Sequence, residues 1–186
     1  IFLNHGLIFN TIFLILGLII LTINFSKIKN LKKEIFLFFI IFLLLLFFIS
    51  VGKNHDDFSY YHFPYSILIS EYSHPIGLGQ LNNGFRSPSS IFFINSMFYL
   101  PGANYYLFHF AAAHIFGFTI LTLLNISFDK EIFKSTKFIN FLSLISIIFT
   151  TIFFYRLAEH GTDRSGMILT MLAIIYLLLL INKNYY

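Results

Sequence analysis

The chain of 186 residues is 58% hydrophobic and only 11% charged, with a mean hydropathy of +0.81, which excludes an ordinary soluble domain. It contains no cysteine, so disulfide frameworks, thiolate metal sites and cysteine nucleophiles are excluded as well. Its net charge of +4 does not imply a nucleic-acid partner, because the basic residues are spread over short loops between apolar runs.

Those runs approach the roughly 17–25 residues that cross a bilayer as helix, and they lack the alternation of barrel strands. The expected fold is therefore all-α: one polytopic membrane domain, residues 1–186, with about five transmembrane helices and the lipid bilayer as its first partner. The first span runs from about Leu7 to Phe25, before a loop holding Lys27, Lys29, Lys32 and Lys33. Ile35 to Val51 is the second span and delivers the chain to a long polar stretch, residues 52–102. A third, from about Ala103 to Asn125, returns to a loop with Lys130, Lys134 and Lys137. Phe138 to Tyr155 crosses again to a second polar loop, residues 156–166, and Met167 to Ile181 goes back towards Lys183. Eight basic residues then lie on one side, against Lys53, Arg86, Arg156 and Arg164 on the other. That asymmetry predicts that the two polar loops face outward. The start at Ile1 and the stop at Tyr186, just after an apolar run, are those expected of a piece of a longer protein. Without a basic region ahead of it, the first run does not read as a cleaved signal.

Residues 52–102 concentrate the groups able to do chemistry. Asp56 and Asp57 fall at the expected membrane edge, and in a helix each would lie one turn from an aromatic hydroxyl, Tyr60 and Tyr61. A partly desolvated carboxylate near such donors can act as a general base; the plainer reading is a helix cap beside an aromatic belt. His55 and His62 flank the acids, and an Asp/His set of this kind would suit a divalent cation, although the spacing matches no specific ligand pattern. Pro64 to Tyr72 reads as a short interfacial helix, and Ile91 to Leu100, too short to cross, as a re-entrant or interfacial one. Gly77 and Gly79 lack the neighbours of a phosphate loop and read as turns. Arg86, before Ser87-Pro88-Ser89-Ser90, would hold a phosphate at a helix start or pair with Glu71. In the second loop, Thr162 or Asp163 can cap the last span; the alternative is that Glu159, His160, Asp163 or Arg164 completes a site begun by Asp56 and Asp57. His109 and His114 fall inside the third span, as structural groups or as a pocket lining.

The motif DDFSYYHFP (Asp56 to Pro64), placed in the first large outer loop after a spanning helix, resembles the membrane-embedded glycosyltransferases of the GT-C type, over roughly residues 35–166. That resemblance implies a polyprenyl-phosphate-linked sugar as donor and an outer-loop acid that activates the acceptor hydroxyl, at the outer face of a bacterial inner membrane. It implies that Asp56 and Asp57 are catalytic, and that Tyr60, Tyr61, His62, Arg86, Glu159, His160, Asp163 and Arg164 are available to bind substrate. The superfamily usually begins on the cytoplasmic side, so the run before Lys27 is an additional helix or the helix count is offset. The residues alone also admit a transporter or flippase, which predicts acids at mid-bilayer depth, and a non-catalytic assembly subunit, which predicts indifference to their substitution.

Overall fold

A computed structural model describes residues 4–27, 31–50, 56–73, 77–86, 89–157 and 162–183. The described residues are helical or turn, with a single isolated bridge between Leu100 and Asn104. Eight α-helices follow in order: α1 (Leu7–Asn24), α2 (Leu31–Ser50), α3 (Phe63–Glu71), α4 (Ser90–Met97), α5 (Phe110–Ser127), α6 (Lys130–Ser135), α7 (Lys137–Phe153) and α8 (Thr162–Lys183). Four apolar segments are long enough to cross a membrane, in α1, in α2, over Tyr105–Ser127 and in α8. The expectation of five is corrected here: α7 has 17 residues, about 26 Å of helix, short of a hydrocarbon core of about 30 Å.

The bundle is built on α5, which packs against α2, α4, α7 and α8. The reason lies in its small residues. Ala111, Ala112, Ala113, Gly117 and Thr119 are all buried, and small side chains let neighbouring backbones approach when lipid supplies no hydrophobic drive between helices. A Cβ at Gly117 would lie 2.8 Å from Leu45 Cδ1, so the α2–α5 seam closes on a missing side chain. From α7 the buried face is Ile139, Asn140, Ser143, Ser146 and Thr150; Ser143 and Thr150 return their hydroxyls to the carbonyls four residues back, which satisfies these two donors within the helix.

Two ends of the bundle differ. At the lysine end, Asn125 Nδ2 donates to Glu34 Oε2 at 3.3 Å, which brings the start of α2 to the finish of α5. Asn140 reaches across from α7 and donates to the carbonyls of Ile126 (2.7 Å), Ser127 (3.1 Å) and Asp129 (3.3 Å), closing the C-terminus of α5. At the opposite, cap end, α3, α4 and the turns between them enclose a small apolar core of Tyr65, Ile69, Leu78, Phe85, Ile91 and Phe92, seated on Ala111 of α5. The short helix expected at Pro64 to Tyr72 is there as α3. The helix expected from Ile91 to Leu100 is shorter, ending at Met97, because Pro101, Gly102 (φ 80°) and Asn104 (φ 44°) turn the chain into α5. α1 joins this cap through its first turn only. His5 N–H donates to Ile69 O at 3.0 Å, and Asn10 Nδ2 lies 2.8 Å from Ser96 O and 2.9 Å from Tyr99 O.

Candidate functional site

Three pieces of backbone meet on the cap. The first is a π-helical turn, Phe58–His62, entered from Asp57 and closed by Phe63 N–H bonding back to Phe58 O. Such turns are rare and are frequent at functional sites. Asp57 precedes the turn and makes no side-chain capping bond to it. The second piece is the loop 77–86. Asn82 Nδ2 donates to Tyr60 O at 3.0 Å, and a Cβ at Gly84 would stand 2.4–2.7 Å from the Tyr61 side chain. Only glycine lets the loop lie this close over the Tyr61 ring. The third piece is the first turn of α8, which carries Asp163 and Arg164.

Tyr61 is where these pieces converge. Burial raises its pKa above the ordinary tyrosine value, and the negative charges of Asp57 and Asp163 raise it further, since each disfavours a phenolate. An acid from each of the two polar segments thus acts on one hydroxyl. The ring is held edge-on by His62 (centroids 4.4 Å apart) and by Phe92 (6.1 Å). His62 itself is buried. Asp56 and Tyr60 are exposed beside the cleft, so the two acid–tyrosine pairs expected from helical spacing are unequal.

Arg86 is exposed, and its Nε donates to Gly79 O at 3.2 Å, which fixes it on the loop that covers Tyr61. It is not the partner of Glu71, whose carboxylate accepts a hydrogen bond from Tyr105. Arg164 Nη1 donates to Arg156 O at 3.0 Å, fastening the start of α8 to the segment after α7. Glu159, His160 and His55 lie outside the described residues, as do Ser87 and Pro88. Among the described residues no three His, Asp or Glu side chains converge as a metal site.

From Asp163 an open groove of about 640 Å³ runs between α7 and α8, past Ser146, Gly166, Met167, Thr170 and Met171. It is apolar with an acid at one end. His114 is structural: its Nδ1 lies 2.7 Å from Phe110 O, and its ring sits among Phe42, Phe98, Phe110 and Phe118.

Sequence reading passed over Gly84 and the Glu71–Tyr105 pair, whose members are 34 residues apart. The docking of α1 through His5 was likewise not read from the sequence. Asn10 was the available signal, as a lone amide within an apolar run needs a partner inside the protein.

The described residues form an all-helical bundle with four helices long and apolar enough to cross a membrane, with Asp57, Tyr61 and Asp163 toward one end and an apolar groove that includes Asp163 between α7 and α8. No family model, curated protein or solved structure matches the chain, so its chemistry is read from these residues alone.

Proposed function

We propose that this chain is the catalytic membrane core of a glycosyltransferase that moves a sugar from a polyprenyl-phosphate donor to an envelope glycan, lipid or protein acceptor, at the outer face of a bacterial inner membrane. The observation that carries the reading is the loop 77–86 lying against the Tyr61 ring at Gly84, beside the π turn that Asp57 enters, with Asp57 and Asp163 from separate polar segments near enough for their charges to add to the effect of burial on Tyr61. In this account Asp57 takes the proton of the acceptor hydroxyl, whose oxygen attacks the anomeric carbon. The bond from that carbon to the lipid phosphate breaks, and the phosphate leaves with the electron pair. Arg86, on the loop over Tyr61, offsets the charge that develops on the phosphate, with Arg164 as the second cation. The α7–α8 groove offers the donor's hydrocarbon chain an apolar path beginning at the acids.

Transport is the weaker reading, because the described acids stand at helix ends or in turns and none lies midway along a spanning helix. The test is transfer from radiolabelled polyprenyl-phosphate sugars in membranes holding the full chain, compared with Asp57→Asn and Asp163→Asn at equal abundance. Asp57→Asn abolishes the product in this account, and undiminished turnover removes Asp57 from catalysis. Arg86→Ala weakens the donor more than the acceptor; equal loss for both counts against a phosphate contact.

A further inference from the structure

The π turn ahead of α3 has a cause in the sequence, and that cause leaves a task for one residue of the loop 77–86. Residue 64 is proline. In an unbroken α-helix the N–H of residue 64 would bond to Tyr60 O, but proline has no N–H and its ring crowds the carbonyl four residues back. The backbone widens instead, and Phe63 N–H bonds to Phe58 O, five residues back. Tyr60 O accepts from outside the helix, from Asn82 Nδ2 at 3.0 Å.

Asn82 works at both ends of its amide. While Nδ2 holds the π turn, Oδ1 accepts from Gly84 N–H at 2.8 Å. This second bond closes a turn of the Asx kind, and it sets Gly84 against Tyr61, where a Cβ would stand 2.4–2.7 Å from the side chain. Leu78 and Phe85 anchor the loop in the apolar core of the cap, with the Phe85 ring stacked on Tyr65 at 5.1 Å. Arg86 follows directly on that anchor, folded so that a Cβ at Gly79 would stand 2.8 Å from its Cγ. Asn82 ties this loop across to the π turn. The tie is exposed, so water can replace either partner and its loss costs little stability. What it supplies is register.

We propose that Asn82 is a positioning residue for the transfer: by gripping the carbonyl that Pro64 cannot serve, it holds the loop bearing Arg86 in one register over Tyr61. The inference rests on the glycosyltransferase reading for the reaction that is positioned, and on the hydrogen bonds alone for the geometry.

Asn82→Ser tests it, because a serine hydroxyl still accepts from Gly84 N–H but is too short to reach Tyr60 O. Tyr61, followed by the ¹³C resonance that Tyr61→Phe removes, should titrate at a lower pH than in the unsubstituted chain. Burial is the larger cause of its raised pKa, and the loop supplies that cover. Transfer from the polyprenyl-phosphate sugar should fall about 100-fold, the loss expected of a displacement of about 1 Å at a reacting group, with helix content and thermal midpoint unchanged. Pro64→Ala in the Asn82→Ser background gives Tyr60 O an N–H again and should restore neither the Tyr61 titration nor transfer. An unchanged Tyr61 pKa in Asn82→Ser, undiminished transfer, or recovery of both by Pro64→Ala overturns the proposal, the last because Asn82 would then only occupy a carbonyl. If the unsubstituted chain transfers nothing, the glycosyltransferase reading fails, and the Tyr61 titration still decides whether Asn82 holds the loop.

Discussion

α1 and α5 are both 18 residues long and both apolar, yet one residue of α1 is buried and ten of α5 are. The comparison is sharpest at two glycines. A Cβ at Gly17 meets nothing within 4 Å, whereas one at Gly117 meets Leu45 at 2.8 Å. The helix richer in Leu and Ile faces outward, and the helix carrying Ala, Gly, Ser and Thr forms the core. This is the logic of a bilayer solvent, in which large apolar side chains gain little by leaving lipid and close packing of small ones holds helices together. It also explains why α1 is attached by amide and imidazole groups at one end rather than by an apolar stripe.

The largest effect that tests this difference is Gly117→Leu, which overpacks the α2–α5 seam and should cost roughly 3 kcal/mol. Gly17→Leu should cost almost nothing. Unfolding in mixed micelles followed by circular dichroism measures both, and equal losses would break the comparison. Next is Asn140→Ala, which leaves the carbonyls closing α5 without their donor and should cost about 2 kcal/mol in the same assay. Asn10→Ala acts on docking rather than on the bundle. Because the chain has no cysteine, spin labels at Leu16→Cys and Phe98→Cys read the distance between α1 and the cap directly. That distribution should broaden in Asn10→Ala while bundle stability falls by no more than about 1 kcal/mol.

The smallest effect is one of pH. Burial holds the His5 pKa below the usual histidine value of 6.5, where its Nδ1 lies 2.7 Å from Ser96 Oγ and 3.2 Å from Phe93 O. The released state therefore takes up a proton first as pH falls. Docking of α1 is fully present above about pH 6.5 and weakens below it, down to the lower docked value. The same spin-label pair should broaden on acidification, and His5→Asn should remove that dependence.

The legible parts of this fold are its long apolar helices. Lengths and lysine loops located α1 almost to the residue and α2 and α8 to within about five, whereas α5 starts seven residues after the expected Ala103. For α7 the apolar run was visible, but its buried face of Asn140, Ser143, Ser146 and Thr150 was not, because packing with α5 and α8 is not written in hydropathy. At the cap, Asp57 and Tyr61 were recognised from a four-residue spacing, and Asp163 from its charge. That they act on one tyrosine was not legible, since it depends on a π turn, on Gly84 lying against Tyr61, and on a charge brought near from about 100 residues along the chain. Arg86 was assigned a phosphate or Glu71 from local sequence; its Nε donates to Gly79 O, a loop carbonyl that no spacing rule marks, and Glu71 takes Tyr105 as its partner.

The joint action of Asp57 and Asp163 on Tyr61 is the central claim, and titration of Tyr61 tests it most directly. With ¹³C-labelled tyrosine in nanodiscs, the Tyr61 resonance is assigned by its loss in Tyr61→Phe. Its pKa should lie above the ordinary tyrosine value, fall in Asp57→Asn, fall again in Asp57→Asn/Asp163→Asn, and remain raised by burial alone. A Tyr61 pKa that does not respond to Asp163→Asn would contradict the account, because the two polar segments would then not share one site.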